Sequence, residues 1–542
     1  MPCFTRREIL TAMLGAPVAL AACMQSALPP LPAGTIVGGS VGIGHRLRDG
    51  WRITPAAKQW TNVDIVIIGG GIAGLSAAWQ FHRAGFHDFI LLELEPEIGG
   101  TSRSTPSPAI SCPWGAHYLP VPMKENATLI SLLDEMGILE GYTAEGEPIV
   151  AEHYLCRDPQ ERIFYRGRWY EGLYLAAGAS AEDRTQFAAF HTEIDRWVAW
   201  RDAQGRRAFT IPIANSSDDP EVTALDRITM RDWLDQHGWT SSRLRWLVNY
   251  GCRDDYGLTI ENTSAWAGIF YFASRIRQPG HIAQPLITWP EGNGRIVAHL
   301  YNRIRAKVRV GLAVTDVIPT ESPQRSSVDV VAVDHDTQTA LGFHARRVVF
   351  AAPQFLTRYL IRPYRDRSPS EFPVFEYGPW FVANLFLQNR PAERDFPLAW
   401  DNVLYDSPSL GYVVATHQRG LDHGPSIFTY YYPFCETDAR AAREKLLAMD
   451  WRSCADVVLT DLRRAHPDID SLVHRLDVMR WGHAMIRPRP GSVWSPTRRT
   501  AALPFRGIHF AHTDLSGVAL FEEAFYHGVR AAEEVLAILR PS

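Results

Sequence analysis

Five of the six positions from Val63 to Ile68 are β-branched and apolar (Val63, Ile65, Val66, Ile67, Ile68), which predicts a strand covered on both faces in a parallel sheet. The period then turns helical over Ile72 to Ala84, and Phe89 to Leu92 predicts a second buried strand. From about Met123 to Ile287, short aromatic strands (His153 to Leu155, Ile163 to Trp169) alternate with amphipathic segments. Thr229 to His237, with Met230, Trp233 and Leu234 on one face, and Arg243 to Tyr250 predict helices. The dense aromatics of this block, Trp197, Trp200, Trp233, Trp239, Trp246, Trp266 and Phe270 to Phe272, fall at helical spacing and predict a packed core rather than a ligand cage. A helix over Ile296 to Ile304 follows, then strands over Val308 to Val310, Ala313 to Val317 and Arg347 to Pro353. Trp380 to Leu387 and Ile427 to Tyr432 alternate as strands of a mixed sheet, and Asp438 to Ala448 and Cys454 to Ala465 read as helices. The pattern is that of an α/β chain carrying an inserted α+β domain with a helical cap.

The turn between the first strand and helix carries Gly69, Gly71 and Gly74, a G-x-G-x-x-G spacing. The first glycine permits the tight turn, the second lets a pyrophosphate approach the backbone, and the third brings the helix close to the strand. Ile72 and Ala73 open that helix, whose free N–H groups attract phosphate. Glu93 closes the second strand nineteen positions after Gly74, where a carboxylate accepts hydrogen bonds from ribose hydroxyls. Strand, turn, helix, strand and acid together predict a bound adenine dinucleotide.

Composition narrows the classes. A chain of 542 residues, 46% hydrophobic and 21% charged with a formal net charge of −4, has no nucleic-acid footprint. Seven cysteines show no C-x-x-C and no metal-ligand spacing, so no metal centre is expected, and whether any pair forms a disulfide cannot be read from spacing. Only Lys58, Lys124, Lys307 and Lys445 are lysines, which limits where lysine chemistry could occur.

Arg6 and Arg7 precede a short apolar segment, Ile9 to Leu20, too brief to cross a bilayer. Thr5 to Leu10 resembles a twin-arginine export signal, and Leu20-Ala21-Ala22-Cys23 resembles a bacterial lipobox, in which the cysteine is acylated. Residues 1–22 are then expected to be a leader and 23–60, rich in Pro and Gly, a tether. The resemblance implies a protein exported folded, with its cofactor, and held in the periplasm by a lipid anchor at Cys23.

After Glu93 come Ile98-Gly99-Gly100-Thr101-Ser102-Arg103-Ser104 and then Trp114-Gly115-Ala116-His117-Tyr118. With these residues the chain resembles the flavin-dependent amine oxidase superfamily, which includes protoporphyrinogen oxidase and phytoene desaturase-like proteins. The resemblance implies a Rossmann-like, glutathione reductase-type FAD domain. In it Gly99, Gly100, Thr101 and Arg103 lie along the FAD diphosphate, Gly115 to Tyr118 pass the flavin ring, and Val314 and Val317 touch the adenine end. Gly507 to Asp514 and the helix beyond resemble the C-terminal signature of that family. There Asp514 would meet the ribityl chain, and Phe521 heads a helix aimed at the pyrimidine edge. Glu97 and Thr101 replace arginines that commonly flank the double glycine, and His512 replaces a glycine. The FAD domain is expected in residues 61–122, 288–355 and 480–542, and the substrate domain in 123–287 and 356–479.

The expected activity is that of an FAD-dependent oxidoreductase, passing hydride from a small molecule to flavin and electrons on to oxygen or a membrane quinone. True amine oxidases carry a lysine near the flavin nitrogen. Alignment puts that position near Ala383 or Asn384, in a region, Pro353 to Arg440, without lysine. The two aromatics that would sandwich an amine correspond to Val493 and Leu520. His483 and His117 are the candidate acid/base residues, with Arg487 and His512 as further polar groups. Polyamine or amino acid oxidation, a nicotinamide cofactor and a catalytically inactive envelope flavoprotein remain as alternatives.

Overall fold

A computed structural model describes residues 30–105, 111–320, 327–365 and 375–539. Arg6, Arg7 and Cys23 lie outside the described residues. The strand Trp60–Ile68 is flanked in parallel by Phe89–Leu92 and Ala340–Phe350. The second half of Ala340–Phe350 pairs in parallel with Ile508–Phe510, while its first half runs antiparallel to Val328–Asp334, which continues to Leu312–Pro319. One sheet therefore collects three distant stretches of chain. Ile65, Val66 and Ile67 are fully buried in it, as the unbroken apolar run predicts.

The helices Ile72–Arg83 and Phe521–Leu539 pack together against one face of this sheet, with Trp79 and Phe525 5.6 Å apart. They approach closely because Gly528 has no side chain: a Cβ there would lie 2.1 Å from the Ala73 carbonyl oxygen.

The second sheet has eight strands in the order Ile36–Val37, Val473–Ile486, Tyr377–Leu387, Ser426–Pro433, Gly411–Val414, Asp401–Leu404, Glu161–Tyr165 and Arg168–Glu171. The helices Ala439–Ala448 and Trp451–Ala465 cover one face through Phe381, Leu385, Val458 and Leu462. The other face is aromatic and points inward: Trp380, Trp400, Tyr431 and Trp481 share a cluster with Trp114. Over it sits a helical cap, Ala181–Ala199, Met230–Gln236, Ser242–Tyr256 and Ala265–Ala273, built on its own core of Trp233, Trp239, Trp266 and Phe270. Most of the aromatic stripe is thus core; Trp246 instead turns out to stack on Tyr405 at 4.5 Å, in the cluster of the large sheet.

Three boundaries differ from expectation. Residues 153–154 lie in a single 3-10 turn, Glu152–Tyr154. Ile163 to Trp169 is a hairpin of the large sheet, turned at Arg166 and Gly167 with φ of 47° and 83°, the positive pair that a tight two-residue hairpin requires. The strand Val473–Ile486 runs through the expected 479/480 boundary and stays with the substrate sheet. Cys112, Cys156, Cys252, Cys435 and Cys454 are free thiols, and among the described residues no helix is long and apolar enough to cross a membrane and no group of side chains could hold a metal ion.

Candidate active site

The glycine turn has the geometry that its spacing predicts. Gly69 has φ +105°, and a Cβ on Gly74 would fall 1.9 Å from the Gly69 oxygen, whereas one on Gly71 would meet nothing within 4 Å. The open space lies at Gly71, the N-cap of Ile72–Arg83, which no side chain caps. Ile72 and Ala73 are buried behind it. Glu93 accepts the Gly70 N–H at 2.6 Å and the Glu95 N–H at 2.8 Å. Burial raises its pKa, and these two bonds oppose the shift. Leu312 donates to the Glu93 carbonyl at 2.9 Å, which sets Val314 two residues further along the neighbouring strand.

Gly99 and Gly100, with φ of +109° and +56°, press against this turn; Gly99 N–H reaches Gly70 O at 2.8 Å. Thr101 O accepts the Ala116 N–H at 3.0 Å, and a Cβ on Gly115 would stand 2.3 Å from that same oxygen. Arg103 is 6% exposed, yet its described partners are the Met479 sulfur at 3.3 Å and the Trp481 ring at 5.2 Å, and its Nε has none. Glu93 acts on it only from beyond ion-pair distance, and a buried guanidinium without a contacting carboxylate calls for an anion. With the open turn at Gly71 it fits a diphosphate, and the unpartnered Gln354 Nε2 is a further free donor.

The supposed tether is part of this site. Ile36 and Val37 pair with Val478 and Met479, and Ser40 donates its N–H and hydroxyl to Glu95 at 2.9 and 3.2 Å. Gly38 passes so close to Arg103 that a Cβ would lie 2.4 Å from Nη2. The proline- and glycine-rich composition that reads as a linker here serves close packing over Arg103.

Asp514 is 1% exposed and accepts the Gln354 N–H at 2.9 Å and the Tyr377 hydroxyl at 2.6 Å. Burial works to raise its pKa, but His512, Tyr377 and Gln354 bring it below the ordinary value. The carboxylate thus bolts the last segment to two others. His512 accepts the Asp514 N–H at 3.2 Å, and Phe521 packs among the helices of the first core.

His117 Nδ1 lies 2.9 Å from the Tyr431 hydroxyl and 3.3 Å from Gly115 O, its ring 5.2 Å from Trp400. Burial lowers its pKa to about 4, so the ring is neutral at physiological pH. His483 is elsewhere, exposed and stacked on Phe355 at 4.2 Å; the two histidines do not form a pair. Arg487 is buried in a structural tie to Phe434 O and Glu436 O and is paired with the Glu376 carboxylate at 3.3 Å, which explains its charge without chemistry. Ala383 faces the helix-covered side of the sheet, and Asn384 bonds Pro113 O and Thr429. Val493 and Leu520 pack on the cap core.

Sequence reasoning missed an acidic corner beside Tyr118. Glu161 and Asp401 are register partners on adjacent parallel strands, so their side chains share one side of the sheet. Asp254, from the cap helix Ser242–Tyr256, adds a third carboxylate close enough to interact with both. Tyr250 donates to Asp401 at 3.3 Å, and Tyr118 packs edge-on to Trp400 at 5.8 Å. Burial raises Glu161 and Asp254 to about 7 each; burial and the other two carboxylates raise Asp401 well above the ordinary range. Among the described residues Glu161 and Asp401 have no cationic partner. Asp255 differs, being paired with Arg275 at 2.7 Å. No spacing in the sequence could have joined these three acids, which come from separate segments.

A dinucleotide cradle opening beside an aromatic sheet face defines a flavoprotein oxidoreductase. The sequence model described as flavin containing amine oxidoreductase matches residues 72–536, and the chain belongs to that family. FAD is its cofactor. The chain is 21% identical over 528 residues to oxidoreductase PigB of Serratia sp. (strain ATCC 39006), covering 88% of this chain and 75% of that protein. It is 27% identical over 217 residues to the putative flavin-containing monoamine oxidase AofH of Mycobacterium tuberculosis, 38% of this chain and 40% of that one. Its fold is similar to wild-type putrescine oxidase bound to putrescine (TM-score 0.63, 16% identity, 88% of this chain and 100% of that chain). It is also similar to cyclohexylamine oxidase from Brevibacterium oxydans IH-35A (TM-score 0.60, 16% identity, again 88% and 100%).

Proposed function

We propose that this FAD-dependent oxidoreductase oxidises a small-molecule amine at a carbon next to nitrogen. The observation that carries the reading is the acidic corner: Glu161, Asp254 and Asp401 converge beside Tyr118 and Trp400 without a compensating cation on Glu161 or Asp401. Burial and proximity disfavour the ionised forms of these carboxyls, which is why they hold their protons to higher pH, and a bound ammonium would stabilise the ionised forms. Tyr118 and Trp400 offer π faces to a cation. Bound FAD supplies the acceptor for one hydride, which carries both electrons, and its diphosphate would rest on the Gly69 to Gly74 turn and Arg103.

The chain's own work is placement and proton handling. A protonated amine cannot give up hydride readily, because its nitrogen lone pair is occupied. Glu161 and Asp254, titrating near 7, can accept that proton at neutral pH. Hydride then leaves the α-carbon and the substrate becomes an iminium, which water hydrolyses if the product is released as a carbonyl compound. Neutral His117 holds Tyr431 and the Gly115 carbonyl in place. The names of the relatives support an amine: putrescine, cyclohexylamine and monoamine oxidases are among them. Oxygen or a membrane quinone is the proposed final acceptor.

Anaerobic mixing of the yellow protein with putrescine, cyclohexylamine and benzylamine tests the reading. Bleaching of the flavin absorbance by at least one is expected, and slower bleaching in Asp401→Asn. If no amine bleaches the flavin while dithionite does, the amine reading fails.

The leader and anchor belong to the same proposal. Arg6, Arg7 and Cys23 support twin-arginine export and a periplasmic, lipid-anchored enzyme. Cell fractionation of wild type, Arg6→Lys/Arg7→Lys and Cys23→Ala checks it: the first variant stays in the cytoplasm and the second is exported but released from the membrane.

A further inference from the structure

A cavity of about 310 Å³ lies between the cap loop at Ile213, the segment around Trp494 to Pro504 and the flank of the last helix at Tyr526. None of its lining residues belongs to the cofactor cradle or the acidic corner. Its lining is mixed in chemistry. Trp494, Leu515 and Leu503 give it apolar surface, the last 62% exposed. Four arginines, Arg206, Arg498, Arg499 and Arg530, line it as well, with the carboxylates Asp218 and Glu534. Two of the arginines are already neutralised, Arg206 by Asp202 and Asp218 at 2.7 and 2.6 Å and Arg530 by Glu534. Arg498 and Arg499 make no carboxylate contact of ion-pair length among the described residues; Glu523 and Asp226 act on Arg498, and Asp218 on Arg499, only from further away.

Arg498 is the more telling of the two. It is 8% exposed and spends Nε and Nη1 on the carbonyls of Val493 and Leu515, while Nη2 has no acceptor among the described residues. Burial lowers its pKa only to about 10, so it is charged at neutral pH. Arg499 is exposed and holds its guanidinium 5.8 Å above the Trp494 ring. A buried, charged guanidinium that lacks a full set of acceptors favours a ligand with anionic oxygens. The apolar surface and the size of the space favour a body beyond those oxygens.

We propose that this cavity binds a small organic anion: a carboxylate held by Arg498 and Arg499 on an apolar, ring-sized body that rests against Trp494 and Leu503. The site is separate from the amine-oxidising centre and stands whether or not that reading holds.

Calorimetric titration of the flavin-loaded protein with benzoate, and in parallel with inorganic phosphate, tests it. Arg499→Glu and Leu503→Glu are the variants, because both side chains are exposed and neither carries a structural bond, whereas Arg498 ties two loops together. Expected are saturable binding of one benzoate, a loss of about tenfold or more in affinity in each variant, and phosphate weaker than benzoate by at least about tenfold. Failure of benzoate to bind, binding unchanged in both variants, or phosphate binding as tightly as benzoate overturns the assignment.

Discussion

The cofactor cradle and the acidic corner recognise their ligands in opposite ways. The cradle works by subtraction: Gly69, Gly71, Gly74, Gly99 and Gly115 remove side chains so that backbone can close on backbone or leave room, and Arg103 is the buried charge waiting beside it. The corner works by addition: three carboxylates and several aromatic rings are brought into one place by two strands and a cap helix. Backbone recognition needs consecutive residues and therefore a fixed spacing. Side-chain recognition needs only that distant residues meet, so it leaves no spacing behind.

The contrast can be broken most severely at Gly74. With the Gly69 oxygen 1.9 Å from a Cβ position, Gly74→Val should abolish flavin binding, read as a colourless protein with the apoprotein still folded by circular dichroism. Retained colour would show that the cradle does not depend on close approach. At the corner, Asp401→Asn keeps the shape and removes a carboxyl that a bound ammonium could ionise. A fall of about 10- to 100-fold in kcat/KM for amines is expected, about 1.4 to 2.8 kcal/mol, while the flavin spectrum stays unchanged. An equal loss of flavin would mean that the two regions are not separable.

A third test uses pH. Glu161 and Asp254 have folded pKa values raised to about 7 from ordinary carboxylate values near 4, so the stability they contribute is full below about pH 4 and is lost as pH rises through about 7. Glu161→Gln should therefore melt higher than wild type above pH 7, by the equivalent of about 1 to 2 kcal/mol, and the gain should shrink toward pH 5. A gain independent of pH would place its origin in packing. The smallest effect is expected at the N-terminal segment. Ser40→Ala removes one of its two bonds to Glu95, about 0.5 to 1.5 kcal/mol, and should speed flavin release several-fold in a dilution assay without changing kcat.

The cradle was largely legible. The β-branched run, the glycine spacing and Glu93 stand where the structure puts them, because strand, turn and helix are local structures fixed by neighbouring residues. The cap core was legible for the same reason, through helical spacing of Trp233, Trp266 and Phe270. Residues 33–60 were not: a Pro- and Gly-rich composition describes a flexible linker and a tightly packed strap equally well, and only the edge of Val473–Ile486 and the Glu95 carboxylate decide between them. Asp514 was singled out by its motif, but the partners it meets, Gln354 and Tyr377, arrive from other segments.

The order of residues alone determined that this chain makes a dinucleotide fold, since each step of that motif depends on the next few positions along the backbone. What stands opposite the cofactor was decided only when the eight-stranded sheet set Asp401 beside Glu161 and the cap lowered Asp254 onto them. Electrostatic repulsion acts through space, and space is assigned by packing.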